Sequence, residues 1–483
     1  MNKLKIFAFF LTLLFVPVLF GQQSITWQRI YDTQYHMHNY GYSICKSTEN
    51  TFFIAGYALL LNSYNTSVIR INIYGDTLWT FYADSANETY SVTSSDDGGC
   101  VFTGAINSFP YAAKLDSNGN TVWEKTYNVD YTQIKDIKKT SDNGYIMCGW
   151  YRYNIYDGGL IIKIDSLGNE TWKVLLNLSY RFAIRSIIED ISGNYIATGG
   201  IIYTSFDSLK GIVLKVNSNG NIIWNKEYKI LNNETYFVKV ENYFNNYILF
   251  GEIRNNQKRT RIFTKIDTNG NILQFKEFQS QYDDFLTSAA VINNNKFIFS
   301  QDRAVLGGYF ANVFIADTSG NIIKEKTYPI NRSSTLYSIL PLLNGYILLC
   351  GYSRSLYGYG NNDDVYVIRT DSTLEAPIIT VKNISNLIPD KITLYQNYPN
   401  PFNNYTRIIF EIPAINGLYK EVNVRINIYN IIGQKISKLI DENFKPGKYE
   451  VIWNSKEKNS GLYLLNLVLD NKITKTIKMI FLK

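Results

Sequence analysis

A turn of the form D-x-x-G-N returns about every fifty residues, and it limits what this chain can fold into. It reads NIYGD at 72–76, DSNGN at 116–120, DSLGN at 165–169, NSNGN at 217–221, DTNGN at 267–271 and DTSGN at 317–321. The glycines Gly75, Gly119, Gly168, Gly220, Gly270 and Gly320 are spaced by 44, 49, 52, 50 and 50 residues. A degraded seventh copy is VYVIRTDSTLE at 365–375. Asp or Asn followed by Gly supplies the positive φ of a tight hairpin, and the side chain accepts backbone N–H groups within it. Tyr (39) and Phe (27) are abundant, as suits strands joined by polar turns.

Each period divides into four short strands. In the second they are Tyr90–Ser94, Cys100–Gly104, Tyr111–Asp116 and Thr121–Tyr127. The turns SDDGG (95–99), SDNG (141–144) and SGN (192–194) join the first strand to the second. Several such units at a period of 40–50 residues are the signature of a β-propeller. An aromatic ring recurs on the fourth strand, as Trp79, Trp123, Trp172, Trp224 and then Phe275, and is expected between neighbouring blades.

The seventh copy stops after its third strand, because Pro377 follows. Residues 25–31, ITWQRIY, fit the missing fourth strand and have no first three strands before them. The N-terminal strand is therefore expected to complete the last blade and pair both open edges. The predicted fold is all-β: a seven-bladed β-propeller over 22–371, closed by its N-terminal strand, then a linker at 372–390 and a small Ig-like β-sandwich at 391–483.

Both ends concern destination. Lys3 and Lys5, an apolar run from Ile6 to Phe20 and Gly21 follow the plan of a cleaved signal peptide over 1–21. That run is shorter than the roughly 20 residues a membrane span needs, and no later stretch is apolar enough to cross. The formal charge of +7 lies in the tail, where Lys391–Lys483 carries 14 basic and 7 acidic residues. The neutral remainder argues against nucleic acid as a partner. Cys45, Cys100, Cys148 and Cys350 are too sparse for a disulfide framework and read as small buried side chains.

The tail carries the most specific motifs. LYQNYPNPFNNYTRIIFEIP (394–413) is followed by IYNIIGQ (428–434), KPGKYEVIWN (445–454), SGLYLLNLVL (460–469) and TKTIKMIFLK (474–483). This resembles the type A C-terminal sorting domain of the bacterial type IX secretion system. The resemblance rests on Gln396, Asn397, Tyr398, Pro399, Asn400, Pro401, Phe402 and Asn403, then Gly433, Gly447, Trp453, Gly461 and Tyr463. It implies a β-sandwich recognised by the type IX machinery through 391–483, commonly removed on export, with the cargo released or attached at the outer surface. The blade turns also resemble, faintly, the repeats of quinoprotein propellers and the Asp-box of sialidases. Those motifs are structural and imply no activity here.

In a propeller, turns joining strands one to two and three to four share one face, and here they are nearly constant. The opposite face carries variable links: 57–67, 150–159, 201–211, 254–261 and 352–364. Variable loops on a rigid scaffold are where recognition usually sits. The candidate face is Trp150, Tyr151, Arg152, Tyr153, Tyr156, Arg354, Tyr357 and Tyr359, whose rings and donors suit a glycan or a protein ligand.

Other chemistries find less support. Asp116, Asn118 and Asn120 alternate as in a calcium loop, but no bidentate Glu completes the set and other copies break the pattern. His36 and His38 would point the same way on an extended segment without completing a metal site, so no metal and no cofactor are expected. No G-x-S-x-G turn accompanies those two histidines. Loop carboxylates at Asp157, Asp207, Asp363 and Asp364 leave one alternative open, a glycan-active hydrolase or lyase. The leading expectation is an exported, non-catalytic binding protein.

Overall fold

The repeat folds as its alternation requires. In the copy holding DSNGN, strands Asn87–Ser94, Cys100–Ile106, Phe109–Leu115 and Thr121–Thr126 form one antiparallel sheet in chain order. Four-stranded sheets of the same order follow over 132–176, 181–228, 234–278 and 285–328. These observations come from a computed structural model. It describes residues 26–482 except 32–37, 48–49, 61–62, 74, 84–86, 154–155, 178–180, 203–208, 256–257, 281, 283, 294, 306–307, 330–332, 355–362, 377–380, 386–387, 404, 415–420, 455–458 and 471. The signal peptide expected at 1–21 lies outside the described residues. Among them, no helix is long and apolar enough to cross a membrane.

The two ends of the repeat array meet. Trp27–Tyr31 pairs antiparallel with Asp363–Thr370, Trp27 facing Arg369 and Tyr31 facing Val365. One parallel bridge, His38 to Asp363, joins the strands of 38–83 and 333–370 into a single sheet of eight with Trp27–Tyr31 attached.

Turn chemistry accounts for D-x-x-G-N. Asp116 Oδ1 accepts the N–H groups of Asn118 (2.8 Å) and Asn120 (2.9 Å), while Oδ2 accepts the Asn120 amide (3.0 Å). Asp165, Asp267 and Asp317 repeat all three bonds. The bonds from Asn120 hold the Asp116 carboxyl below its ordinary range. The carboxylate is thus committed to its own hairpin. In the seventh copy Leu374 takes the glycine position at φ 59°.

The same turn is also where neighbouring sheets lock. Trp79 donates its indole N–H to Ser117 O (3.0 Å), Trp123 to Ser166 O (3.2 Å), Trp172 to Ser218 O (2.8 Å) and Trp224 to Thr268 O (3.2 Å). Each ring lies against the next turn's glycine: a Cβ on Gly119 would sit 3.0 Å from Trp79, and one on Gly168 would sit 2.8 Å from Trp123. Glycine is required there for its positive φ and for this close approach. Trp27 makes the equivalent contact across the chain ends, bonding Ile73 O (3.1 Å) and lying 2.9 Å from a Cβ on Gly75. One assignment needs correction. The residue opposite the third-strand Lys265 is Gln274, as Trp224 is opposite Lys215, and Gln274 Nε2 bonds Thr318 O (3.1 Å). Phe275 is one position further along the strand.

A second set of lateral bonds links the first strands, each of which carries a bulge. A bulge takes a residue out of the ladder and re-aims its neighbours. Val92 N donates to Ser43 Oγ (3.2 Å), Ile137 N to Ser91 Oγ (3.2 Å), Ile187 N to Asp136 Oδ2 (3.2 Å) and Val240 N to Ser186 Oγ (3.4 Å). Ile44 N to Ser338 Oγ (3.2 Å) carries the series across the chain ends.

In the tail, strands ordered 381–385, 447–454, 405–412 and 393–394 form one sheet, and 435–444, 422–430, 461–469 and 472–481 form another. Phe410, Val451 and Trp453 of the first sheet and Val424, Ile426, Leu465 and Met479 of the second share one core. The sequence reading of 372–390 as a linker is therefore too long. Leu374 and Ala376 are buried against the repeat array, and Val381–Ser385 already pairs with Gly447–Asn454.

Trp27 is 1% exposed. Trp27→Ala is expected to cost about 3–5 kcal/mol of stability, the usual range for truncating a buried Trp, read by urea unfolding of the full chain. A cost under about 1 kcal/mol would mean the N-terminal strand does not hold the array together.

Candidate functional site

The first strands run away from the variable-link side, so their opening residues and the ends of the second strands share that side. Tyrosines from three repeats converge there. Tyr40 and Tyr42 come from His38–Lys46, Tyr57 from Thr51–Leu60, Tyr90 from Asn87–Ser94, Tyr337 from Ser333–Pro341 and Tyr352 from Ile347–Arg354. Tyr40 lies 4.9 Å from both Tyr57 and Tyr352, and Tyr42 lies 4.7 Å from Tyr337, 4.9 Å from Tyr90 and 5.4 Å from Tyr57 (ring centroids). Tyr64, 5.1 Å from Tyr57, extends the cluster outward. Burial, reinforced by neighbouring phenols, pushes the Tyr42 hydroxyl upward, so it stays protonated and able to donate.

At one edge of this cluster stands Asp363, with no exposed side-chain surface. Arg354 grips it in a fork, Nε to Oδ1 at 2.8 Å and Nη2 to Oδ2 at 3.2 Å. Tyr40 donates its hydroxyl to Oδ2 (2.6 Å), and His38 Nδ1 lies 3.1 Å from the same oxygen. Burial alone would raise this carboxyl. The bonds from Arg354 and Tyr40, with the charges of Arg354 and His38, outweigh it and hold the group below the usual carboxylate range. An ionised carboxylate so enclosed is a structural anion, not a proton donor.

The sequence candidates meet different fates. Trp150 is half-buried and donates its indole N–H to Gln133 Oε1 (3.1 Å). Gln133 in turn donates to Glu88 Oε2 and Tyr90 Oη (2.8 Å each), so Trp150 backs the tyrosine cluster. Tyr151 points the other way into the apolar core and is no part of an open face, since alternate strand residues face opposite sides. Arg152 is exposed and reaches Asp157 (3.4 Å). Tyr153 and Tyr156 pair through their backbones at the end of their hairpin. Tyr357, Tyr359, Asp207 and His36 lie outside the described residues. His38 reaches the Asp363 carboxylate (3.1 Å). The cysteines are free thiols, and burial pushes that of Cys45 up to about 12.

A second polar group lies between the sheets of 234–278 and 285–328. Asp284 Oδ2 accepts from Gln301 (2.8 Å) and Arg303 (3.2 Å). Asp302, between Gln301 and Arg303 on the strand, faces the other way, toward Thr335, and is pushed up to about 7, chiefly by burial, with the Asp284 charge adding to the effect. Sequence reasoning missed this group and the tyrosine cluster. Aligning the first strands would have found part of the latter, because Tyr42, Tyr90 and Tyr337 each directly precede the laterally bonded serine.

Comparison with known proteins bears mainly on the tail. Residues 396–482 match the family model of the secretion system C-terminal sorting domain. The C-terminal region is thus similar to the type IX sorting domain, which implies export to the cell surface or medium. Its motif residues hold the ends of that domain together. Gln396 and Asn400 bond Lys478 O (2.8 and 3.4 Å), and Phe402 packs on Trp453 and Phe481 at 5.5 and 5.3 Å. Asn397 is buried on Thr406 (2.8 Å), and Tyr463 packs on Trp453 (5.2 Å). Tyr398–Pro399 and Asn400–Pro401 are cis. Tyr398 and Asn403 are exposed, Gly433 holds a turn at φ 81°, and Gly447 and Gly461 each open a strand.

Among solved structures, a puromycin hydrolase mutant complexed with PGG is similar at TM-score 0.50 and 10% identity, covering 80% of this chain and 61% of that one. Hydrazine synthase of Kuenenia stuttgartiensis scores 0.47 at 11% identity, covering 69% of this chain and 96% of that one. The WD40 β-propeller domain of Doa1 scores 0.44 at 11% identity, covering 70% and 98%. At 10% identity the first of these is a likeness of fold alone. No curated protein matches the chain.

Arg354→Leu would leave Asp363 buried with only Tyr40 and His38. It is expected to cost about 2–3 kcal/mol at pH 7, below the 3–5 of a fully buried pair because Arg354 is partly in solvent. The native carboxyl is depressed, so its contribution is present above the unfolded carboxylate pKa and is lost as pH falls through the folded one. The deficit should therefore shrink in acid, as read by urea unfolding at pH 7 and pH 3.5. An equal deficit at both pH values would contradict the ion-pair account.

Proposed function

We propose that residues 22–371 form a seven-bladed β-propeller closed by its N-terminal strand. The tail is then a β-sandwich that sends the protein through the type IX machinery to the cell surface or medium. The propeller is a non-catalytic binding module whose ligand, a glycan or a peptide, engages the variable-link side. The observation that carries this reading is the convergence of Tyr40, Tyr42, Tyr57, Tyr90, Tyr337 and Tyr352 beside a carboxylate that Arg354 has neutralised. Rigid amphipathic rings bind at low entropic cost, while Asp363 has no proton to give.

One observation favours a second reading, a glycan-active hydrolase. Asp302 is a buried carboxyl raised to about 7, and the charge of Asp284, itself bonded to Arg303, acts on it. A single assay separates the two. The full chain is screened on glycan and peptide arrays and for release of reducing ends, alongside Tyr57→Ala and Asp302→Asn. The binding reading expects a ligand whose affinity drops about tenfold or more in Tyr57→Ala and no turnover. Turnover abolished by Asp302→Asn would establish the hydrolase instead.

The export reading has its own test. In the native host, deletion of 381–483 is expected to leave the protein in the periplasm, judged by fractionation. Unaltered delivery to the surface or medium would refute it.

A further inference from the structure

The laterally bonded Ser43, Ser91, Asp136, Ser186 and Ser338 are preceded by Tyr42, Tyr90, Lys135, Arg185 and Tyr337, and the remaining two first strands carry Val238 and Thr287 at that place. Two cations therefore stand side by side, between the tyrosine-rich repeats and the rest. Lys135 Nζ lies 3.7 Å from the Tyr90 ring centroid, and the Arg185 guanidinium lies 5.3 Å from that of Tyr236. Arg185 is exposed and Lys135 is half-buried.

Their surroundings are unbalanced. Among the described residues, no ion pair within 4.0 Å serves either cation. Glu88, the nearest acid acting on Lys135, already accepts hydrogen bonds from Gln133 (2.8 Å) and Tyr90 (2.7 Å). In the same strands Lys138 bonds Asp136 (2.7 Å), and Lys139 bonds Asp96. Burial first, and then the Arg185 charge, push the Lys135 amine down to about 7. Two like charges held together repel, and an anion placed between them relieves that cost beyond what Glu88 supplies.

We propose that the ligand of the tyrosine cluster is an acidic glycan, its carboxylate or sulfate seated between Lys135 and Arg185 and its sugar rings against Tyr90, Tyr42 and Tyr57. The proposal rests on the binding reading above and narrows it. The pyranose supplies an apolar face for the rings, and the anionic substituent supplies the missing counter-charge. A neutral glycan would use only the rings. A free anion would use only the cations.

The test is calorimetric titration of the full chain with three oligosaccharide sets of matched length: neutral β-glucan, uronate and sulfated galactan. Variants Tyr57→Ala, Arg185→Met and Arg185→Lys accompany the parent. Uronate or sulfated oligomers should bind about tenfold or more tightly than neutral ones, the worth of a charge-assisted hydrogen bond. Arg185→Met should erase that preference, Arg185→Lys should keep most of it, and Tyr57→Ala should weaken both classes. Equal affinity for acidic and neutral oligomers, or an acidic preference intact in Arg185→Met, overturns the proposal while the binding reading stands. Absence of binding to all three sets, with a peptide bound on the array, likewise overturns it. Inorganic sulfate that matches the sulfated oligomer in affinity would reduce the site to a simple anion site and also overturn it.

Discussion

An indole ring lying where the next turn's glycine has no Cβ, its N–H on that turn's carbonyl, is the contact on which the rest of the array depends. A four-stranded sheet of this size exposes two edges and two faces, and gains stability by stacking on its neighbours. Truncating a buried Trp such as Trp27 typically costs about 3–5 kcal/mol, a large share of the net stability of a whole domain, and the half-buried Trp79, Trp123, Trp172 and Trp224 repeat the contact. The turn therefore has three tasks at once: reversing the chain, capping itself with an Asp carboxylate and receiving the neighbour's ring. Trp27 on Gly75 is the same contact made between the two ends of the array. The serine bonds of the first strands repeat this lateral logic on the inner side, Ile44 to Ser338 included.

Much of this was legible because period, turn and ring recur at fixed offsets. The pairing of Trp27–Tyr31 with Asp363–Thr370 could be read from an orphan fourth strand at one end and a missing one at the other. Phe275 misled because a ring is easier to see than a register: Gln274 holds the position and keeps the hydrogen bond without the ring. The tail's first strand was taken for linker because Val381–Ser385 lacks a turn signal before it.

The tyrosine cluster was harder to read. Loop length pointed to the side of the array on which the tyrosines gather, but those residues come from strand ends, not loops. Tyr40 and Tyr57 are seventeen residues apart, and Tyr352 nearly three hundred further on. Only the folded arrangement places the Tyr57 and Tyr352 rings each 4.9 Å from that of Tyr40. A bulge shifts facing by one residue, so Tyr42, Tyr90, Lys135 and Arg185 cannot be placed by simple alternation. Trp150 and Tyr151 illustrate the converse: adjacent candidates must face opposite ways, and only one can serve an open surface. Asp363, one of four carboxylates available by position, is disarmed by Arg354, nine residues earlier and on the next strand.

The claim that most needs an independent measurement is that the N-terminal strand is an integral member of the last sheet. Hydrogen–deuterium exchange read by mass spectrometry addresses it in the intact protein. The ladder-bonded amides of residues 27–31 should be as protected as those of another outer strand such as Thr121–Thr126, which is also paired on one side only. Exchange of 27–31 at the rate of an unstructured segment, with 121–126 still protected, would contradict closure by that strand and with it the arrangement of the tyrosine mouth.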